Sequence, residues 1–403
     1  MIHIALLGFG VVGSGTAEVL TQNKAIIEKK IGQAINIKYI LDLRDFPDSP
    51  FADRIVHDFN TIVNDPEVSV VAEMMGGSHP AYDFTIACLR AGKSVVTSNK
   101  EVVANFGTEL LAVAKENGVS YLFEASVGGG IPIIRPLRED LASNNVTSIS
   151  GILNGTTNYI LTKMDVEGAS FADVLKDAQA KGYAEANPAA DVEGLDAARK
   201  IVILAAMAFG KRIDPNAILC EGITKITTAD SELAKEMGYA IKLIGYTTKV
   251  DGKILCMVSP RLIPRDNPIF GVSYVNNGIL VTADMVGQVM FYGPGAGKLP
   301  TASAVTGDLV DVMGHTPAGI ISPVWVDATP AEIADPEDYV CRHLVVLDAP
   351  LTAETAIASH FALNAVHFTQ GRFSFITEEM SEAQVKAKIA ATGYSLVTRI
   401  RVL

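Results

Sequence analysis

A glycine-rich loop, Gly8-Phe9-Gly10-Val11-Val12-Gly13, follows directly on the apolar run Ile2–Leu7 and leads into a segment with helical spacing. No other feature narrows the fold so far. In a strand–loop–helix of this kind the first glycine permits a tight turn and the second lets backbone approach a pyrophosphate. The third lets the helix pack on the strand. The phosphates then sit over free N–H groups at the helix N-terminus, where the macrodipole favours an anion. A bare G-x-G-x-x-G says little. Beginning at residue 8, after a strand and at the head of an alternating β/α region, it points to a dinucleotide-binding Rossmann domain.

The alternation supports this. Further strands are expected at Ile35–Leu41, Val68–Met75, Ser94–Thr97 and Ser120–Phe123, with helices at Val12–Asn23, Ala81–Ala91 and Gly107–Asn117. Ala91-Gly92 and Asn117-Gly118 put glycine where a helix C-cap wants positive φ. Such an order predicts an α/β fold with a doubly wound parallel sheet covered on both faces. After Gly128-Gly129-Gly130, helices lengthen and strands read as antiparallel around Lys249–Ser259 and Gly278–Met290, which predicts an α+β domain for substrate and dimerisation. Prolines and acids at Pro330–Pro336 read as a linker. Beyond it come a strand (Tyr339–Leu347), a helix (Thr352–Phe361), two strands (Ala365–His367, Arg372–Thr377), a helix (Ser381–Ala391) and a strand (Leu396–Val402). That β-α-β-β-α-β order predicts a small ferredoxin-like module. The expected domains are 1–130 (completed by about 298–325), 131–297 and 338–403.

At 403 residues the chain exceeds what one hydrophobic core usually supports. A net charge of −12 tells against a nucleic-acid or anionic-membrane surface. Cys88, Cys220, Cys256 and Cys341 form no C-x-x-C pair, so neither a disulfide framework nor a zinc knuckle is encoded and a reducing compartment fits. The N-terminus reads as a strand rather than a signal peptide, and the longest apolar stretch, Ile201–Phe209, is about half a membrane span. A soluble cytoplasmic protein is expected. The histidines show no H-x-x-x-H or H-E-x-x-H spacing, and His79 reads as a loop cap.

The coenzyme's ribose leaves two readings open. The second strand ends Leu41-Asp42-Leu43-Arg44-Asp45, where an acid would hold a free 2′-hydroxyl and favour NAD. Arg44 would pair a 2′-phosphate and favour NADP. In the second domain Asp196 and Lys200 stand four apart and share a helix face. The helix continues Ile201-Val202-Ile203-Leu204-Ala205-Ala206, apolar on nearly every side, so it is buried, and the pair at its entrance reads either as charges lining a cleft or as an ordinary surface i,i+4 ion pair.

Five blocks resemble the homoserine dehydrogenase family. They are Thr97-Ser98-Asn99-Lys100, the run from Phe123 to Pro132 (FEASVGGGIP), Asn154–Leu161 (NGTTNYIL), Gly182–Lys200 (GYAEANPAADVEGLDAARK) and Tyr292–Gly297 (YGPGAG). The resemblance implies reversible NAD- or NADP-dependent interconversion of L-homoserine and L-aspartate 4-semialdehyde, in threonine and methionine synthesis. It implies that Lys200 is the proton donor. A hydride arriving at or leaving a carbinol carbon requires a proton moved on the adjacent oxygen, which a lysine does near neutrality if desolvation or a nearby cation lowers its pKa. By the same resemblance Lys100 is a second active-site lysine, beside the coenzyme, supplying that cation and orienting substrate. Glu185 and Asp196 would bind homoserine, with Asp191 in support. Gly182 and Gly297 would touch the nicotinamide half of the coenzyme. Glu124, with the carbonyls of Val127, Gly129 and Ile131, would hold a structural Na+ or K+; read without the family, Gly128–Gly130 is a domain hinge. A homodimer or homotetramer is expected.

The tail resembles an ACT-like module, but its first strand-to-helix turn, Leu347-Asp348-Ala349-Pro350-Leu351, lacks the glycine where an amino-acid effector docks. Threonine feedback thus has no residue to support it, and assembly remains as a role. Two rival readings stand beside this one. Another Rossmann reductase of amino-acid synthesis, such as aspartate-semialdehyde dehydrogenase, needs a thiolate nucleophile, and no cysteine has a partnered setting. A non-catalytic NAD(P) sensor would keep the glycine loop but need not keep Lys100, Glu185, Asp196 and Lys200 together.

Overall fold

The computed structural model describes residues 1–315, 320, 322–369 and 371–403. In it the N-terminal β-branched runs pair side by side. Strands β1 (Ile2–Leu7), β2 (Ile35–Leu41), β3 (Ile55–Val56), β4 (Val68–Glu73), β5 (Ser94–Thr97) and β6 (Tyr121–Leu122) form a sheet in the order β3-β2-β1-β4-β5-β6. Every pairing in it is parallel. Both faces must then be covered, and Ile4, Ala5, Leu6 and Leu7 of β1 are all buried. Strand order reverses between β1 and β4, so a crevice opens at the carboxyl end of β1, where ligands bind in such sheets. The glycine loop leaves β1 at that point and enters α1 (Val11–Gln22).

Close approach decides several glycines here. Gly8 has φ +91°, and a Cβ on Gly13 would lie 2.0 Å from the Gly8 carbonyl oxygen. Helix α2 (Ala81–Arg90) follows β4, and α3 (Lys100–Glu116) follows β5. Helix α3 starts at Lys100 rather than at Gly107. Glycine is a poor interior helix residue and reads locally as a boundary, yet Gly107 sits mid-helix because a Cβ there would lie 2.5 Å from the Trp325 ring.

The middle of the chain supplies β7 (Val146–Ile152), α4 (Gly155–Glu167), α5 (Leu195–Phe209), β8 (Tyr239–Val250), β9 (Lys253–Pro264), β10 (Asn276–Ala283) and β11 (Gly287–Pro294). Each stretch read as antiparallel strand spans a hairpin turn. Lys249–Ser259 contains Asp251-Gly252, both at positive φ as a tight two-residue turn demands, and Gly278–Met290 contains the turn between β10 and β11. Helix α6 (Lys298–Gly314) returns to the first domain, so close to α1 that a Cβ on Gly15 would lie 2.9 Å from the Lys298 carbonyl oxygen. Of the stretch 298–325, residues 316–319 and 321 lie outside the described ones.

The tail runs β12 (His343–Asp348), α7 (Glu354–Ala358), β13 (Asn364–Thr369), β14 (Arg372–Ile376), α8 (Glu382–Thr392) and β15 (Ser395–Val402). It has a small core of its own, including Val345, Leu347, Ile357, Phe373, Phe375 and Val385. Its sheet is not separate. β15 pairs in parallel with β9, so the strands join as β11-β10-β7-β8-β9-β15-β12-β14-β13. Pro330–Pro336 is bound rather than free: the Ala334 amide donates to the Ile254 carbonyl at 2.9 Å. At the junction the buried carboxylate of Glu382 pairs with Arg399 and, at 3.0 Å, with Arg401. His343 lies buried beside these arginines, and burial with their charge pulls its pKa down to about 3.

Candidate active site

Three elements from two parts of the chain meet at one carboxylate. Helix α5 begins at Gly194, which holds the left-handed conformation, and places Asp196 in its first turn with Lys200 one turn on. Strand β7 delivers the Leu153 carbonyl and Asn154, whose side chain caps α4 by accepting the Thr157 amide at 2.9 Å. From the first domain, Asn99 caps α3 and leaves Lys100 as its first residue.

Asp196 is 5 % exposed and Lys200 8 %. Lys200 Nζ donates to Asp196 Oδ2 and to the Leu153 carbonyl, each at 2.8 Å. Lys100 Nζ, its side chain 40 % exposed, lies 2.6 Å from Asp196 Oδ1. Asn154 divides its amide between Asp191 Oδ1 at 2.7 Å and Asp196 Oδ2 at 2.9 Å. Burial by itself would push the Asp196 carboxyl up, but Lys200 and Lys100 outweigh it and hold the group well below the ordinary range. Burial pulls Lys200 below its ordinary pKa, Asp196 opposes this, and the Lys100 charge adds to it. Asp191 is pushed up by burial, with the Asn154 bond opposing. An ammonium with a depressed pKa, fixed by a carboxylate, is the state a general acid–base lysine requires.

In the first domain a cavity of about 530 Å³ opens along the carboxyl ends of β1 and β2, lined by Gly8, Gly10, Asp42, Arg44, Met75 and Pro80 among others. Nothing lies within 4 Å of where a Gly10 Cβ would stand, so backbone is free to approach a phosphate there. The Phe9 amide donates to Asp42 Oδ2 at 2.9 Å, which ties the loop to the end of β2. Arg44 closes on the same carboxylate with its Nε and Nη2, both at 3.0 Å. A slightly larger recess, about 580 Å³, is lined by Phe9, Glu18, Arg54 and Lys298 among others and shares no lining residue with the first cavity.

Sequence models described as "Homoserine dehydrogenase, NAD binding domain" and "Homoserine dehydrogenase" match residues 8–124 and 132–310. A homoserine dehydrogenase of Synechocystis is 45 % identical over 320 residues, 78 % of this chain and 73 % of that protein. One of Bacillus subtilis is 43 % identical over 326 residues, 79 % and 74 % of the two chains. The chain belongs to the homoserine dehydrogenase family. The solved homoserine dehydrogenase of Thiobacillus denitrificans superposes with TM-score 0.90 at 36 % identity, covering 100 % of this chain and 98 % of that one. A hyperthermophilic archaeal homoserine dehydrogenase solved in complex with NADPH superposes at 0.67 with 29 % identity, covering 77 % and 97 %. As a member of the family the protein is an oxidoreductase acting on a CH–OH group, with an NAD(P)-binding domain.

Hydrogen bonds and ion pairs join Lys100, Asp191, Asp196 and Lys200 by way of Asn154, and among the described residues none of these bonds reaches Glu185. Glu185 is exposed, and among the described residues its carboxylate has no hydrogen-bond or ion-pair partner; its carbonyl accepts from Gln179 Nε2 at 3.1 Å. Gly182 is exposed at φ +73°, and Gly297, at φ +120°, immediately precedes α6. The Gly128–Gly130 turn is packed tightly: a Cβ on Gly129 would lie 2.3 Å from the Gly295 carbonyl oxygen. The Glu124 carboxylate accepts the amides of Ile133, Ile134 and Arg135 at 2.5, 2.8 and 2.7 Å, capping the short helix Ile134–Arg138. Its side chain is therefore spent on backbone. Among the described residues no group of three or more His, Cys, Asp or Glu side chains is placed to hold a metal ion.

Burial pushes the thiols of Cys88 and Cys256 up to about 12, and those of Cys220 and Cys341 up to about 11, so none is a thiolate nucleophile near neutrality. His79 pairs with Asp83 at 2.8 Å on the surface, at the start of α2. Two residues escaped the sequence reading: Asn154, whose signal was an Asn directly before a helical segment, and Glu73, an acid closing an apolar strand.

Proposed function

We propose that this chain interconverts L-homoserine and L-aspartate 4-semialdehyde in threonine and methionine synthesis, with Lys200 moving the proton on the substrate's C4 oxygen. One observation carries the assignment of roles: the Asp196 carboxylate is held between Lys200 of α5 and Lys100 of the coenzyme domain. The coenzyme, when bound, supplies or accepts the hydride. Gly8, Phe9, Gly10, Val11, Val12 and Gly13 would cradle its pyrophosphate, and Gly182 and Gly297 would meet its nicotinamide half.

Lys200 holds the proton and releases it at low cost because burial and the Lys100 charge both disfavour its ammonium. Asp196 keeps that ammonium oriented and, with Glu185 and Asp191, offers carboxylates to the substrate's amino group. Lys100 orients the substrate from the coenzyme side. The Asp42–Arg44 pair stays closed over a free 2′-hydroxyl and opens for a 2′-phosphate, with Arg44, 64 % exposed on its side chain, free to swing. Both NAD and NADP are accommodated on this reading.

A structural Na+ or K+ fits the turn after Glu124 through the carbonyls of Val127, Gly129 and Ile131, with the Glu124 carboxylate fixing the turn. The domain division 1–130 with 298–325, 131–297 and 338–403 is supported by the return of α6 to α1 and by the tail's own core. That core and the strand order β15-β12-β14-β13 support an ACT-like module serving assembly into a homodimer or homotetramer. Among the described residues no helix is long and apolar enough to cross a membrane, in keeping with a cytoplasmic site.

The test gives purified protein L-homoserine with NAD+ or NADP+ and follows the reduced coenzyme, beside Arg44→Ala and with threonine titrated in. Turnover with NADP+ that Arg44→Ala weakens selectively supports the 2′-phosphate role. Coenzyme binding without turnover would favour a sensor instead.

A further inference from the structure

Glu73 closes β4 fully buried, a carboxylate in an otherwise apolar strand. The reaction as described makes no use of it. Its two oxygens reach two different loops. Oε1 accepts the Met75 amide at 2.7 Å, in the loop that walls the coenzyme cavity through Met74, Met75, Gly76 and Pro80. Oε2 accepts the Thr97 hydroxyl at 2.6 Å, and Thr97 Oγ1 accepts the Asn99 amide at 2.9 Å. Asn99 Nδ2 donates back across the crevice to the Gly77 carbonyl at 2.8 Å, while Asn99 Oδ1 caps α3. The next residue is Lys100.

We propose that Glu73 is a positioning residue for the dehydrogenase reaction: its buried carboxylate fastens the coenzyme-cavity loop to the turn that presents Lys100. A buried carboxylate with no counter-charge is expensive, and an apolar side chain would fill the space at lower cost. What only an ionised carboxylate does here is accept from both loops at once. Protonated on Oε2 it must donate, and the Thr97 hydroxyl then loses its acceptor.

The surroundings put this change in the working range. Burial pushes the Glu73 carboxyl up to about 7, against the bonds from Thr97 and Met75. From β6 the buried phenol of Tyr121 faces it, itself pushed up by burial and by the Glu73 charge. Among the described residues no lysine, arginine or histidine pairs with Glu73. The Thr97 link therefore becomes an accepted, charge-assisted bond and the fastening tightens as pH rises through neutrality.

The inference rests on the proposed role of Lys100, and one set of assays separates the two. kcat and kcat/KM for L-homoserine are measured against pH for the parent, Glu73→Gln, Thr97→Val and Lys100→Ala, with coenzyme Kd for each. Glu73→Gln keeps shape and a hydrogen bond to each loop but is neutral at every pH. It is expected to match the parent below neutrality and to fall about tenfold behind above it, a modest misplacement by the standard of catalytic geometry. Thr97→Val removes a bond that holds the carboxyl down, so the same ionisation moves to higher pH. Glu73→Gln equal to the parent at all pH values, or an ionisation unmoved in Thr97→Val, overturns the proposal while Lys100→Ala is still impaired. An unimpaired Lys100→Ala overturns the role of Lys100 itself.

Discussion

Replacing Asp196 with asparagine removes the one negative charge between two lysines while keeping the side chain's shape. Asp196 and Lys200 are both buried, 2.8 Å apart. At an effective dielectric of about 20, unit charges at that distance attract by about 6 kcal/mol. Desolvation offsets much of that attraction, and removing one member of a buried pair costs about 3–5 kcal/mol because the other charge is stranded. The Lys100 pair is worth far less, at most about 1 kcal/mol, since that side chain is 40 % exposed. Lys200 would keep the Leu153 carbonyl and a neutral amide oxygen as acceptors but no counter-charge, and would lose its proton more readily than in the parent.

A lysine whose folded pKa is depressed costs stability below that value, and the cost lifts as pH rises toward its ordinary value. Asp196→Asn depresses Lys200 further. In denaturant unfolding the variant should therefore fall short of the parent by about 3 kcal/mol near pH 7, and the gap should narrow toward pH 10. Equal stability near pH 7, or a gap that widens with pH, would refute Asp196 as the counter-charge of Lys200. The same variant should lose about a hundredfold or more in kcat/KM for L-homoserine.

Gly13→Ala drives a Cβ to 2.0 Å from the Gly8 carbonyl oxygen, so coenzyme Kd should rise at least about tenfold by equilibrium titration; an unchanged Kd would contradict the loop's role. Gly107→Ala should destabilise by about 1–3 kcal/mol through collision with Trp325, although alanine is the better helix former; a net gain in stability would show the contact to be loose. Glu382→Gln leaves Arg399 without its carboxylate partner and the buried Arg401 with Glu221 alone, which should cost about 3 kcal/mol in unfolding free energy. A loss under 1 kcal/mol would mean that this junction does not secure the tail.

How far the sequence could be read follows the range of the interactions. The parallel sheet was legible because strand period, helix caps and the glycine loop are all local patterns. Gly107 misled because a local rule, glycine at a helix boundary, was overridden by Trp325, far away in the chain. The Pro330–Pro336 stretch has the composition of a linker, and its packing against Ile254 and Lys211 rests on residues far away in the chain that no local pattern announces. The joining of the tail to the middle sheet rests on Arg261 and Leu262 meeting Arg401 and Val402, a register that no periodicity encodes.

In the site, Asp196 and Lys200 were legible from helical spacing on a helix apolar all round. Lys100 reached them only through family resemblance, since no spacing brings residue 100 beside residue 196. Glu185 came by the same route and lies exposed without a side-chain partner among the described residues. Asn154 and Glu73 were passed over because each acts through what it touches: two carboxylates for one, two loops for the other.

The central claim is that Lys200 moves the proton while the coenzyme domain holds the hydride carrier. The most direct measurement is kcat/KM for L-homoserine oxidation by the parent and by Lys200→Ala, with coenzyme Kd determined for both. Lys200→Ala is expected to fall about 10²- to 10⁴-fold with coenzyme affinity unchanged. Turnover by Lys200→Ala within about tenfold of the parent would contradict it, because general acid–base catalysis contributes more than that.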